Sequence, residues 1–174
     1  MKVLIAVDLQ RDFIDGALGT AEAQAVVPAS AARLRAFRGR VFLTRDTHEA
    51  CYLTTEEGRH LPVPHCIRGS DGWQLHPEIA AAAPPDAEII DKPTFGSTVL
   101  GERLRALNAA EPIESVTLMG LCTDICVISN ALLVKAFLPE TPVAVIASCC
   151  AGVTPESHAQ ALAAMRMCQI EIEA

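Results

Sequence analysis

Short, unbroken apolar runs alternate along this chain with longer segments in which apolar residues recur every three or four positions. The runs lie at 2–7, 40–44, 87–90, 115–119, 143–147 and 169–172. They are continuous rather than alternating, which is how a strand reads when both faces of its sheet are covered. The helix-period segments between them lie at 21–37, 98–107, 124–137 and 156–167. Thr154, Pro155 and Glu156 give the last of these a cap, a first-turn proline and an acid at its positive end, and Pro139 stops the third. Strands alternating with helices predict crossover units. The expected fold is therefore α/β, a three-layer sandwich with a six-stranded parallel sheet flanked by helices, Rossmann-like in layout.

Residues 45–86 do not fit this alternation. They hold His48, His60, His65, His76, Pro62, Pro64 and the only tryptophan and tyrosine, Trp73 and Tyr52. A loop of that length inside a compact domain is usually functional, and the unusual residues concentrate there. Only the alanines at 80–83 read as helix filler.

Composition narrows the class. A length of 174 residues suits one domain spanning 1–174, able to bury a core without disulfides or a structural metal. Half the chain is hydrophobic, yet no apolar run approaches the roughly 20 residues of a membrane span, so a soluble protein without a membrane partner is expected. The opening MKVLIAVD is too short for a secretory signal. Seven cysteines, with Cys149 and Cys150 adjacent, form no disulfide framework and point to a reducing, cytoplasmic setting. Fourteen basic against twenty-one acidic side chains give a net charge of −7 with no basic stripe, which argues against nucleic acid as a partner.

In an open α/β sheet, ligands bind beyond the carboxyl ends of the strands, so the residues there come first. Asp8 ends the first run, Asp46 and His48 follow the second, Lys92 follows the third, and Gly120 to Cys126 follow the fourth. Cys126 lies near the start of a helix, whose dipole favours a thiolate. Free cysteine is also among the most buried residue types, so spacing alone leaves it readable as core. Lys92 could lower a thiol pKa and stabilise an oxyanion, or be a solvated surface lysine. Asp8 could be a buried carboxylate with a partner, or a loop cap. Asp46, His48 and His65 offer oxygen and nitrogen donors that could hold a metal, or serve as caps and surface groups.

The ordered set VDLQRDF, TRDTHE, LPVPHC, DKPTF and GLCTDICV spans nearly the whole chain and resembles the isochorismatase-like cysteine hydrolases, within them the nicotinamidases and pyrazinamidases. That resemblance implies Cys126 as nucleophile, Asp8 as the base that takes its proton and returns it to the leaving ammonia, and Lys92 as third member. It implies a non-proline cis peptide between Leu121 and Cys122, with the amides of Cys122 and Cys126 forming an oxyanion hole. It also implies one divalent transition metal on Asp46, His48 and His65, with Glu57 the better placed fourth ligand and Glu56 its alternative. Zinc comes first, and iron or manganese would accept the same donors. The substrate is then a small carboxamide, nicotinamide first, between Phe13, Phe95 and Leu121.

One departure stands out. The better-known nicotinamidases carry a ring-stacking tryptophan three residues before the last metal histidine, where this chain has Pro62. Phe13 and Phe95 remain as walls for a ring, and Trp73 or Tyr52 from the loop is a candidate substitute. The alternatives of the same fold are a metal-free ureido or carbamoyl amidohydrolase and an isochorismatase-type hydrolase. From another class comes a redox-responsive binding protein using Cys122 with Cys126, or Cys149 with Cys150. A homo-oligomer is expected. Cys149, Cys150 and Cys168 are expected in the core, and His60, His76 and His158 on the surface.

Overall fold

A computed structural model describes residues 1–174. Six strands, β1 (Lys2–Val7), β2 (Arg40–Asp46), β3 (Glu88–Lys92), β4 (Ser115–Leu121), β5 (Val143–Ala151) and β6 (Glu171–Glu173), form one all-parallel sheet in the order β3-β2-β1-β4-β5-β6. The helices are α1 (Arg11–Ile14), α2 (Ala21–Ala25), α3 (Val27–Ala36), α4 (Glu56–His60), α5 (Pro77–Ala82), α6 (Thr98–Ala110), α7 (Ile128–Phe137) and α8 (Pro155–Met167). The three-layer α/β sandwich expected from the sequence is present.

The layers follow from handedness. From β1 the chain steps outward to β2 and β3, then returns past β1 and steps the other way to β4, β5 and β6. Right-handed crossovers taken in opposite directions place their helices on opposite faces. Accordingly α3 packs with α2 and α5, while α7 packs with α6 and α8. The reversal of direction lies between β1 and β4, where sheets of this kind open a crevice at their carboxyl ends. Residues 3–7 of β1 are sealed from solvent, which explains an apolar run with no polar face.

Several boundaries differ from expectation, each for a local reason. The segment 21–37 is two helices broken at Val26, because Pro28 has no N–H for a helix interior and sits instead in the first turn of α3. β2, β3, β4 and β5 run past their apolar cores, so Asp46 and Lys92 are the last residues of strands rather than loop residues. The segment 45–86 is only partly irregular. It holds a 3-10 turn at Tyr52–Thr54, then α4, whose N-terminal amide at Gly58 donates to the Thr55 hydroxyl, and α5. Cys149 and Cys150 are buried, but Cys168 is exposed, because α8 ends there and turns outward before β6. No helix is long and apolar enough to cross a membrane.

Candidate active site

The carboxyl ends of β1, β2, β3 and β4 bring three sequence-distant groups into contact. Asp8 follows β1 in the left-handed region at φ +49°, which aspartate tolerates better than most residues. The Thr44 hydroxyl donates to Asp8 Oδ1 at 2.6 Å, and Asp8 Oδ2 lies 2.6 Å from Lys92 Nζ. The same ammonium lies 3.5 Å from Cys126 Sγ and 3.4 Å from Asp46 Oδ1, and donates to the Thr94 carbonyl at 3.1 Å. Asp8, Lys92 and Cys126 are all buried.

Burial governs the proton affinities here. It pushes the Asp8 carboxyl up, Lys92 offsets part of that, and the Asp46 charge adds to it. Burial and the Asp8 charge push the Cys126 thiol well up, and Lys92 opposes them. Burial alone would draw the Lys92 ammonium down, but the negative partners around it hold it above its ordinary value. Burial thus favours the protonated forms of the Cys126 thiol and the Asp8 carboxyl, while the surrounding negative groups favour the Lys92 ammonium.

The turn that carries Cys126 is specified by small and polar residues. The peptide between Leu121 and Cys122 is cis, and Thr123–Val127 form a π-turn leading into α7. Asn130 on α7 donates to the carbonyls of Cys126 and Phe95 and accepts from the Ser97 amide, joining the turn to the segment after β3. The Thr123 hydroxyl pairs with His158 Nδ1 at 2.8 Å, so His158 is a half-buried buttress of this turn rather than a surface residue. His60 is exposed, as expected.

Beside the triad, one donor atom each from Asp46, His48, Glu57 and His65 lies within 4.8 Å of all the others. His48 Nε2 is 3.0 Å from Asp46 Oδ2 and 3.5 Å from Glu57 Oε1, and His65 Nε2 is 3.7 Å from both carboxylates. His65 Nδ1 is engaged by the Val63 carbonyl at 2.8 Å, which fixes the proton on Nδ1 and turns the Nε2 lone pair inward. Two imidazoles and two carboxylates converging on one point form a donor set that a divalent transition metal accepts. Of the two glutamates left open, Glu57 faces the histidines, while Glu56 pairs with Arg59 at the surface.

The imidazoles and carboxylates of this group perturb one another. Burial would lower the His48 imidazole, but hydrogen bonds to Asp46 and Glu57 raise it to about 9. Burial would raise the Asp46 carboxyl, but His48, His65 and Lys92 hold it below its ordinary range.

Part of each group faces a cavity of about 640 Å³, while Asp8, Lys92 and His48 stand behind its wall. Cys126, Asp46, Glu57 and His65 stand at its inner end, and Phe13, Phe95 and Leu121 line it. Trp73 does not reach the cavity. It lies under the Arg45 guanidinium, 3.7 Å from its ring centroid, and donates its indole N–H to Thr47. Tyr52 does not reach it either, because its ring packs behind His48 and His65. Pro62 is exposed and outside the wall, and its neighbour Leu61 lines the cavity instead.

Some residues of this neighbourhood carried no sequence signal of their own. Buried Gln10 accepts the Asp46 amide and donates to the Asp46 and Trp73 carbonyls, setting the end of β2. Asp12 accepts the Cys66 amide at 2.7 Å, which holds the segment bearing His65.

Comparison with known proteins agrees with this geometry. The chain resembles the nicotinamidase/pyrazinamidase of Bacillus subtilis, with 25% identity, TM-score 0.85 and full coverage of both chains. It resembles the zinc complex of the pyrazinamidase of Pyrococcus horikoshii, with 28% identity and TM-score 0.83, covering 98% of this chain and 97% of that one. It also resembles the N-carbamoylsarcosine amidase of Thermoplasma acidophilum, with 27% identity and TM-score 0.77 over 99% and 96%. The isochorismatase domain model matches residues 2–173, so this all-parallel sheet with a buried thiol, ammonium and carboxylate at its carboxyl edge belongs to the isochorismatase family.

Proposed function

We propose that the protein is a cysteine-dependent amidohydrolase that releases ammonia from a small carboxamide, nicotinamide first among candidates, through a thioester on Cys126. The observation that carries this reading is the unbroken buried contact from Asp8 through Lys92 to Cys126, whose sulfur-bearing residue lines a cavity also lined by Asp46, Glu57 and His65 of the four-residue donor group. The nicotinamidase and pyrazinamidase likenesses support the reaction class.

In the first half-reaction Asp8 takes the Cys126 proton as the sulfur attacks the carboxamide carbon. Burial and the Asp8 charge push the thiol up, so the sulfur needs a base to take its proton as it becomes a nucleophile, and Asp8 is placed for that role. Charge gathers on the carbonyl oxygen, for which the amides of Cys122 and Cys126 are the candidate donors, with the Lys92 cation nearby. The C–N bond breaks as Asp8 returns its proton to the nitrogen, and ammonia leaves. Water, deprotonated by Asp8, then attacks the thioester, releasing the acid and restoring the thiol.

Asp46, His48, Glu57 and His65 would hold the metal, zinc first, with iron or manganese fitting the same donors. When bound, such an ion supplies a Lewis-acid anchor for a substrate ring nitrogen, directly or through water. Phe13 and Leu121 bound the inner part of the pocket, and Asn130 and Gln10 hold the groups around it in place. The free cysteines fit a cytoplasmic enzyme, and exposed Val99 on α6 and Leu132 on α7 fit a homo-oligomer.

The test is Cys126→Ala, which should abolish ammonia release from every carboxamide the wild type hydrolyses while circular dichroism stays unchanged. Near-normal release would remove the nucleophile assignment. The likeness to N-carbamoylsarcosine amidase favours a second reading, a metal-free carbamoyl or ureido amidohydrolase. Elemental analysis of protein purified without chelator separates the two: about one transition metal per chain supports the first, and none supports the second.

A further inference from the structure

The outer half of the cavity differs in character from the inner half. Three large apolar side chains from three separate segments stand around its mouth: Leu61 after α4, Phe95 after β3 and Val153 after β5. They are 37%, 44% and 55% exposed, although each lines the cavity. A single exposed apolar residue needs no explanation, but three converging on one opening mark a surface kept for an apolar ligand. Leu18 and Ile125, both half-buried, continue this wall inward toward Phe13.

The wall is held in place. The Tyr52 hydroxyl donates to the Leu61 carbonyl at 2.9 Å, the Val153 amide donates to the Asp124 carboxylate at 3.2 Å, and the Phe95 carbonyl accepts from Asn130. Each mouth residue is therefore tied to an element that also shapes the reacting end.

Size points the same way. A cavity of about 640 Å³ lies within the range that encloses a drug-sized ligand, roughly 300 to 1,000 Å³. A single pyridine carboxamide at Cys126 would leave most of that volume to water against apolar walls. No tryptophan or tyrosine ring narrows the space, because Trp73 and Tyr52 both lie outside it and Leu61 occupies the wall near Pro62; its only aromatic lining is Phe13, Phe95 and the His60 and His65 imidazoles.

We infer that the preferred substrate is a primary carboxamide whose acyl group carries an apolar extension reaching from the inner pocket to Leu61, Phe95 and Val153. This rests on the amidohydrolase reading and specifies the substrate class of that same site. The reacting atoms and their proton balance are unchanged; the extension adds apolar contact away from the carboxamide.

The experiment measures kcat/KM for ammonia release by the metal-loaded enzyme across two series: unbranched aliphatic primary amides of increasing length, and nicotinamides bearing methyl, butyl or phenyl ring substituents. In at least one series kcat/KM should climb by up to about fourfold for each added methylene that becomes buried. Leu61→Asp and Val153→Asp, made singly at exposed positions, should flatten that climb, so the ratio of longest to shortest substrate falls at least tenfold. If kcat/KM is flat or falls with length in both series while Cys126-dependent release from the short amides persists, the extension is wrong and the amidohydrolase reading stands. If no amide in either series yields Cys126-dependent ammonia, both are wrong.

Discussion

Lys92 Nζ lies 2.6 Å from Asp8 Oδ2, and neither side chain is accessible to solvent. The lysine leaves β3 and reaches past β2 to the end of β1, so the pair ties three strands together at the site. Removing such charges from water costs several kcal/mol per ion, and here the cost is offset by contacts to Asp46, Thr94 and the Cys126 sulfur as well. An arrangement of that kind contributes little net stability, yet breaking it from one side is expensive. Lys92→Met should therefore destabilise the protein by about 3 to 5 kcal/mol in urea unfolding. It should also lower kcat/KM by about 10²- to 10³-fold through loss of charge near the reacting centre. A wild-type unfolding midpoint, or wild-type kinetics in a folded variant, would contradict the corresponding half of this account.

The raised thiol of Cys126 gives a second prediction. With fewer thiolates present at a given pH, iodoacetamide should alkylate Cys126 at pH 8 at least about tenfold more slowly than exposed Cys51 or Cys168. Peptide mass spectrometry reads the three sites separately. Rapid, selective loss of Cys126 would mean that the resting sulfur is a thiolate.

As the proposed base, Asp8 should set the acid limb of the rate profile. Its carboxyl is raised above 3.8, so kcat/KM should fall with decreasing pH from a point above that value as the base takes up its proton. The stability consequence has the opposite sign. As pH rises through the ordinary carboxylate value, the unfolded chain loses this proton first, so the folded state holds more protons and Asp8's contribution makes stability fall until the raised value is passed. Asp8→Asn should remove that slope and lower kcat by about 10²- to 10⁴-fold. Urea midpoints between pH 4 and 7 in the two proteins, with pH–rate profiles of the wild type, check both parts.

Much of the architecture is legible because fully covered parallel strands leave a plain signal: the apolar run 2–7 coincides with β1, and the runs beginning at 40, 115 and 143 begin where β2, β4 and β5 begin. The candidate residues were legible where a polar group interrupts such a run, as Asp8 and Lys92 do. What sequence spacing could not show is how far a ladder continues once its apolar core ends. Asp46 and Lys92 are paired strand residues, register partners of each other, because backbone hydrogen bonding does not require an apolar side chain. Nor could it show roles set wholly by a tertiary partner. Gln10, Asp12 and Asn130 are ordinary polar residues until Asp46, Cys66 and Cys126 come beside them. Trp73 lies outside the cavity because an indole is as readily satisfied under Arg45 as against a ligand.

The four-residue donor cluster should couple metal binding to protons. In metal-free protein the His48 imidazole is raised from 6.5 to about 9, so at neutral pH it carries a proton that a coordinating ion must displace. Apparent zinc affinity should rise by about tenfold per pH unit between pH 6.5 and 9 from this group alone. The same shift means that His48 stabilises the metal-free fold fully below 6.5 and loses that contribution as pH rises through about 9. Competition against a chromophoric chelator at several pH values, corrected for the chelator's own protonation, measures the slope. A pH-independent affinity would show that His48 is not a ligand or is neutral beforehand. His65→Ala should abolish stoichiometric binding.

Gly120 connects strand geometry to Asp8, the proposed base. It sits at φ +127°, opposite Val7 in the β1–β4 register, and a Cβ there would lie 2.0 Å from the Val7 carbonyl oxygen. The clash is with backbone, so it cannot be relieved by rotating a side chain; β1 must move. Val7 precedes Asp8, and displacing it shifts a carboxylate that must stay in contact with Lys92. Gly69 supplies the comparison, since it also has a positive φ, +80°, but a Cβ there meets nothing within 4 Å. Gly69→Ala should cost only the left-handed penalty, about 1 to 2 kcal/mol, with wild-type kcat. Gly120→Ala should cost more than that, about 3 kcal/mol or above, and lower kcat by about 10²-fold through misplacement of Asp8. Urea unfolding and ammonia-release kinetics on the two variants separate conformational strain from displacement of the base. Equal losses in both would show that Val7 and Asp8 do not depend on the open face of Gly120.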